Sequence, residues 1–332
     1  MSGPIRLGLL GCGRAAERLH VPAIGPATAT QLTGVFDPVR SRGEQIASRQ
    51  SGCRVFESAE SLVGSGEVDA VIVASPAESH AAMASLALLA GLPVLIEKPV
   101  AGSLDEGTRL EAVQQETGVA VMVGLNRRWW APAINLRQRL DRPPRVPAVV
   151  KMELVSDVGG WSALSATSDP LDDLGTHQLD LLRFLFSCEI ETVRATRPAP
   201  EEFHLSVRLL DGTQATCIAA YRNRSQEMIQ VSIGSERSRL LVGSERIQPA
   251  SGGLRKALDI GDTVYRRMRR RRGGLSRSYA AQLTSFAACV RDRTPASPCL
   301  HDGMAALRAI GAARASLVSG GADVPITSTR EP

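Results

Sequence analysis

The chain has 332 residues, of which 43% are hydrophobic and 22% charged, with a formal net charge of +5. This length and balance allow two ordinary domains with full cores and exclude a disordered or fibrous chain. The longest apolar stretch, residues 81–96, is broken by Gly91 and Pro93 and is too short to span a bilayer. In chain order, Ile5–Leu10 is the first predicted strand, followed by Leu32–Phe36, Ala70–Ala74, Pro93–Ile96 and Ala120–Val123. These are short, nearly continuous apolar runs, as a sheet covered on both faces requires. Helical patterns lie between them, for example Ser79–Ala90 and Ser103–Thr117. The second opens with Ser103 and has Glu106 three residues later, a capping-box spacing. Alternation of this kind predicts an α/β Rossmann domain, a doubly wound parallel sheet, over residues 1–125.

The pattern changes after residue 126, and Pro143, Pro144 and Pro147 mark a break. Runs with partial alternation follow at Val149–Val155, Glu191–Arg197, His204–Leu210, Gln214–Ala220, Met228–Ile233 and Ser238–Val242. Asp211-Gly212 joins two of them as a hairpin turn. One helix, Leu174–Phe186, interrupts the series, and two more, Ser278–Arg291 and His301–Ser319, close it. Residues 126–332 therefore read as an α+β domain with a large, mostly antiparallel open sheet. No secretory signal pattern precedes the first strand, and the expected location is cytoplasmic. The six cysteines form no Cys-x-x-Cys pair and have no metal-ligand spacing with histidine, so they read as reduced thiols, with no metal site. Most of the basic excess sits in Arg266-Arg267-Met268-Arg269-Arg270-Arg271-Arg272, which reads as a solvated loop. Without aromatic interleaving it does not predict nucleic-acid binding, although it would attract an anionic substrate.

The first strand ends in Gly8-Leu9-Leu10-Gly11-Cys12-Gly13-Arg14-Ala15-Ala16, where Gly11, Gly13 and Ala16 fit G-x-G-x-x-A. Gly11 allows the tight turn, Gly13 admits a pyrophosphate close to the backbone, and Ala16 lets the helix pack on the strand. The strand before the turn and the helix after it are the context this motif needs. The second strand ends at Asp37, which can accept hydrogen bonds from ribose hydroxyls and would repel a 2′-phosphate. That favours NAD over NADP, against Arg40 and Arg42 nearby, which can pair with a phosphate.

Four further segments extend the pattern. They are Val73-Ala74-Ser75-Pro76 with His80; Gly91 to Pro99, containing Glu97-Lys98-Pro99; Gly124-Leu125-Asn126-Arg127-Arg128; and Asp173-Leu174-Gly175-Thr176-His177. With the glycine turn, their order and spacing resemble the glucose-fructose oxidoreductase / inositol dehydrogenase / MocA (Gfo/Idh/MocA) family over nearly the whole chain. The resemblance implies an NAD(P)-dependent enzyme that moves hydride between the nicotinamide and a carbinol or keto carbon of a sugar, nucleotide sugar or cyclitol. It assigns catalysis to Lys98, Asp173 and His177, and cofactor contacts to Gly11, Gly13, Arg14, Ala16, Asp37, Ser75, Pro76, His80, Glu97 and Lys98. Asn126, Arg127 and Trp161 fall near the substrate. It also implies a homodimer or homotetramer through the C-terminal sheet, with neither nucleic acid nor membrane as partner.

Elementary chemistry agrees. Oxidising an alcohol needs a base for the hydroxyl proton, and a histidine serves near neutral pH. Asp173 and His177 are four apart on one helix face, so the carboxylate can orient the imidazole. Lys98 follows an apolar strand at the carboxyl end of the sheet, where its charge can stabilise an alkoxide. Taken singly, the Asp and His would be a cap and a surface residue, and Lys98 a loop lysine. There are two departures from the family pattern. Ala77 stands where many relatives carry asparagine, and Ser168-Asp169-Pro170-Leu171-Asp172 replaces a glycine-rich stretch. They motivate the competing reading, a non-catalytic dinucleotide-binding regulator or scaffold. His20 and His301 carry no functional reading at this level.

Overall fold

The computed structural model describes residues 3–141, 147–157, 169–223, 225–233, 236–241, 247–249 and 274–326. They divide into two compact units, Met1–Trp129 with Leu275–Leu307, and Trp130–Gly274 with Arg308–Pro332.

The first unit is built on a six-stranded parallel sheet. Its strands are β1 (Ile5–Leu10), β2 (Thr30–Phe36), β3 (Arg54–Val55), β4 (Ala70–Val73), β5 (Val94–Ile96) and β6 (Val121–Val123). They lie in the order β3-β2-β1-β4-β5-β6, so the direction of winding reverses between β1 and β4. The apolar runs are continuous because both faces are covered: all four residues of β4 and all three of β5 and β6 are buried. On one face pack α2 (Ala59–Val63), α3 (Ala77–Leu89) and α4 (Leu104–Thr117), with Leu300 and Met304 among the buried residues. On the other, Ile46 of α1 (Arg40–Ala47) and Leu283, Phe286, Ala287 and Val290 of α7 (Gly274–Asp292) pack against Ile5, Leu7, Leu9, Ile72 and Met122.

This unit therefore recruits a late piece of sequence, which a single boundary at residue 125 leaves out. The reason is the apolar stripe of α7, which joins Ala16 and Ile46 in covering this sheet face. Pro298 and Cys299 then run beside β6, where the Val123 N–H donates to the Pro298 carbonyl at 2.9 Å. Capping of α4 differs slightly from the expected box. Ser103 Oγ accepts from the Glu106 N–H at 3.3 Å, but the Glu106 carboxylate reaches back one residue further, to the Gly102 N–H at 3.0 Å.

The second unit holds an eight-stranded sheet. Its strands are β7 (Val149–Ser156), β8 (Ile190–Ala199), β9 (Glu202–Leu209), β10 (Gln214–Tyr221), β11 (Gln226–Ile233), β12 (Glu236–Leu241), β13 (Ile247–Pro249) and β14 (Val324–Pro325), in the order β13-β12-β11-β7-β10-β9-β8-β14. All pairs are antiparallel except β7 with β10. The Asp211-Gly212 hairpin forms as expected: Gly212 has φ +83° and the Leu209 N–H donates to the Thr213 carbonyl at 2.9 Å. The residues of period-two alternation face opposite ways. Met152, Cys217, Leu205 and Ala195 pair across four strands and are buried, whereas their chain neighbours Lys151, Thr216, Ser206 and Arg194 pair likewise and are exposed. The buried face packs with α5 (Ala131–Leu140), α6 (Thr176–Phe186) and the second half of α8 (Leu300–Val318). Among the described residues, no helix is long and apolar enough to cross a membrane.

Candidate active site

In the first unit the singled-out residues gather at the carboxyl ends of the strands. Gly11 turns at φ +96° directly after β1, and a Cβ there would lie 2.5 Å from the Ser75 backbone nitrogen. The turns after β1 and β4 thus touch at the point where the winding reverses, the crevice in which doubly wound sheets bind ligands. A Cβ at Gly13 would meet nothing within 4 Å. That open space beside the backbone is what a close-approaching diphosphate needs, so the residues present fit a dinucleotide. Ala16 is fully buried and Arg14 half-buried.

The segment after the turn is not the regular helix expected. Ala16–His20 forms a wide, π-helical turn and Val21–Ala23 a tight 3₁₀ turn. Pro22 accounts for the break, since it lacks an N–H and its ring crowds the carbonyl four residues back.

Asp37 follows β2 and is buried, 8% exposed. Its Oδ2 accepts from the Cys12 N–H and its Oδ1 from the Val39 N–H, both at 2.8 Å. The carboxylate therefore locks the glycine turn to the end of β2 and keeps lone pairs for further donors. Arg42 lies 4.0 Å from Asp37 Oδ1, while Arg40 is paired with Glu44 and Glu57. Burial, with the Asp37 charge, pushes the Cys12 thiol up to about 12, which makes it a packing group rather than a nucleophile.

His80 is turned into the protein, 2% exposed. Its Nδ1 lies 2.6 Å from the Pro99 carbonyl and its Nε2 lies 2.7 Å from the Ser75 carbonyl. Both ring nitrogens are taken up in joining the loops after β4 and β5, so His80 shapes these two loops through their backbone. Ser75 is half-buried and bonded to Ser79 Oγ at 2.7 Å, and Pro76 is exposed.

Glu97 and Lys98 come directly after β5. Glu97 is 7% exposed; its Oε1 lies 2.7 Å from His20 Nε2 and its Oε2 accepts from the Lys98 N–H at 3.1 Å. Burial opposes its ionisation. The hydrogen bond and charge of His20, then the Lys98 charge and N–H, outweigh burial and hold the carboxyl below its usual range. Gly124 leaves the room: a Cβ there would stand 2.9 Å from Glu97 Oε2. Lys98 itself is half-buried. Asn126 is 1% exposed and its Nδ2 donates to Ser278 Oγ at 3.1 Å, which fastens α7 to the turn after β6. Arg127 is buried beside it in the chain, and Arg128 pairs with Asp302 at 3.0 Å.

In the second unit, Asp173 lies on a π-helical turn, Leu171–Gly175, and His177 in the first turn of α6. The two are four residues apart, on either side of the junction where the π-helical turn passes into α6. Asp173 Oδ2 accepts from the Tyr221 hydroxyl of β10 at 3.3 Å, and His177 is 9% exposed. The neighbouring Gln178 anchors the helix by donating to the Ile218 carbonyl at 2.9 Å. The segment that departs from the family pattern has its own logic. Asp169 Oδ1 accepts from the Leu171 and Asp172 N–H groups at 3.0 and 3.1 Å, and Arg314 of α8 bridges Asp169 and Asp172. Aspartate here replaces backbone flexibility with a cap. Asp169→Ala is accordingly expected to lower unfolding free energy by about 1–2 kcal/mol, read from the denaturant midpoint. No change would show that the cap contributes nothing.

Trp161 and the run Arg266–Arg272 lie outside the described residues. His20, Tyr221, Asp169, Ser278 and Gln282 carry site contacts that sequence reasoning missed. Most of their partners are tens of residues or more away, and no local pattern marks them.

Residues 5–125 match the model of an oxidoreductase family, NAD-binding Rossmann fold (Gfo/Idh/MocA). An inositol 2-dehydrogenase of Acidothermus cellulolyticus is 32% identical over 193 residues, 58% of this chain and 56% of the relative. A UDP-N-acetylglucosamine 3-dehydrogenase of Acidithiobacillus ferrooxidans is 32% identical over 191 residues, 58% of this chain and 57% of the relative. The chain thus spans little more than half the length of these curated relatives. The solved structure of scyllo-inositol dehydrogenase from Lactobacillus casei, with bound NAD(H) and scyllo-inositol, superimposes with a TM-score of 0.79 at 18% identity. It covers 98% of this chain and all of that one, which shows a shared fold. Residues 5–125 of the chain thus match the NAD-binding Rossmann domain of the Gfo/Idh/MocA oxidoreductase family.

Proposed function

We propose that the protein is an NAD-dependent dehydrogenase or ketoreductase acting on a CH–OH group of a cyclitol, sugar or nucleotide sugar. The observation that carries this reading is Glu97-Lys98 at the carboxyl end of β5, in the same sheet as the glycine turn after β1. Gly11, Gly13 and Ala16 would hold the diphosphate and Asp37 the ribose hydroxyls. When bound, the nicotinamide supplies the hydride acceptor or donor. Lys98 stabilises charge on the substrate oxygen, and His177, supported by Asp173, accepts or returns the hydroxyl proton. Tyr221 holds the Asp173 carboxylate in place through its hydroxyl. The names of the relatives support a polyol substrate and NAD. The exposed face of the second sheet, with Lys151, Thr216, Ser206 and Arg194 aligned across it, is the surface we assign to self-association as a homodimer or homotetramer.

The test is steady-state turnover of the full chain with NAD or NADP on inositols, sugars and nucleotide sugars. Turnover of one member is expected. Nucleotide binding with no turnover across the panel would favour the regulator reading instead. Cofactor choice is tested separately. Asp37→Asn keeps the shape but removes the charge, and is expected to shift the ratio of NADH to NADPH affinity about tenfold toward NADPH. An unchanged ratio would remove Asp37 from cofactor selection.

A further inference from the structure

His20 follows the glycine turn by seven residues, yet its ring is 2% exposed and reaches a carboxylate 77 positions later in the chain. The contact is direct, with Nε2 at 2.7 Å from Glu97 Oε1. The ring's surroundings are equally specific. Tyr279 of α7 meets it edge-on, with centroids 5.2 Å apart and planes at 88°. On the same helix Ser278 receives the Asn126 amide, and Gln282 donates to the Val123 carbonyl at 2.7 Å. Ser278, Tyr279 and Gln282 are all buried. Gly124 completes the enclosure, because any side chain there would displace Glu97. These contacts leave the Glu97 carboxylate one arrangement: Oε1 faces His20 and Oε2 the Lys98 N–H. A packing role alone does not require an imidazole there, and the break at Pro22 is what turns this segment away from a regular helix.

We propose that His20 is a positioning residue for Lys98. By binding one oxygen of Glu97, it fixes the other on the Lys98 amide and so sets where the Lys98 ammonium is presented. The dinucleotide turn and the Glu97-Lys98 turn are thereby one mechanical unit, joined through the buried His20–Glu97 hydrogen bond. The consequence for turnover rests on the function proposed above; the structural coupling does not.

Four proteins test it: His20→Leu, which removes the bond at similar volume; His20→Gln, whose amide can donate at similar reach; Glu97→Gln; and the double variant His20→Leu/Glu97→Gln. Two readouts are taken on the full chain, amide hydrogen exchange of the segment containing Lys98 and kcat with NADH affinity. In His20→Leu, exchange at that segment is expected to rise about tenfold or more, as loss of a hydrogen bond to a charged group implies. kcat is expected to fall by a comparable factor, with NADH affinity kept within about threefold. His20→Gln should recover most of both. The double variant should be no slower than Glu97→Gln, because His20 acts only through Glu97. Unchanged exchange in a folded His20→Leu, or losses that multiply in the double variant, would overturn the proposal. If the wild-type protein turns over nothing, the functional reading fails, and the exchange data still decide the role of His20.

Discussion

Lys98→Ala is expected to lower kcat by about a hundredfold to a thousandfold while leaving NADH affinity within about threefold of wild type. The expectation follows from position. Lys98 is the second residue after β5, its N–H is tied to Glu97 Oε2, and Glu97 is itself held by His20. A charge carried on such a supported turn meets developing negative charge without reorganising, which is where electrostatic stabilisation is largest. His177→Ala should lose about a hundredfold to ten-thousandfold, the usual range for a positioned base. Folding should be little affected by the first change, since Lys98 is half-buried at a turn. Wild-type turnover in both variants would show that neither residue takes part in the chemistry.

Gly11→Ala is expected to cost about 3 kcal/mol or more of stability, with loss of measurable NADH binding. Two terms add. The backbone at φ +96° disfavours any side chain, and the new Cβ would stand 2.5 Å from Ser75 N, 2.6 Å from Ser75 Cα and 2.7 Å from the Ala74 carbonyl carbon. These are backbone atoms of a buried strand end and have no rotamer by which to yield. Gly13→Ala is the matched control. Nothing lies within 4 Å of its Cβ, so the fold should melt as wild type while NADH affinity falls about tenfold or more. Thermal melts and nucleotide titrations of the two variants separate the turn glycine from the ligand-facing one. Equal losses of stability in both would mean that the two glycines are not divided in this way.

The parallel sheet was legible because strands such as β4, β5 and β6 are buried on both faces and apolar throughout. β4, with Ala-Val-Ile-Val and no exposed residue, is the plainest case. The second sheet was legible for a different reason, the alternation that puts Met152 inward and Lys151 outward. β3 and β14 escaped notice because two residues carry no periodicity. The recruitment of α7 into the first unit was also invisible, since an apolar stripe on a helix does not say which face it covers.

At the site, the glycine turn, Asp37 and Glu97-Lys98 announce themselves by motif and by position after a strand. His80 and Asn126 sit within the same motifs, but the structure gives their polar atoms to backbone and to Ser278. Motif membership marks the neighbourhood of a site; burial and hydrogen-bond partners decide what each member does there. His20 is the converse case. It belongs to no strong pattern, and its significance appears only when the chain brings Glu97 to it.

The most direct test of the central claim is a titration of the full chain with NADH and, in parallel, NADPH, followed by nicotinamide absorbance as inositols and nucleotide sugars are added. The account predicts saturable binding that favours NADH, is lost in Gly11→Ala and retained in Lys98→Ala, with absorbance change on at least one substrate of this class in the wild type. Absence of binding by either nucleotide in the folded wild-type protein would contradict it.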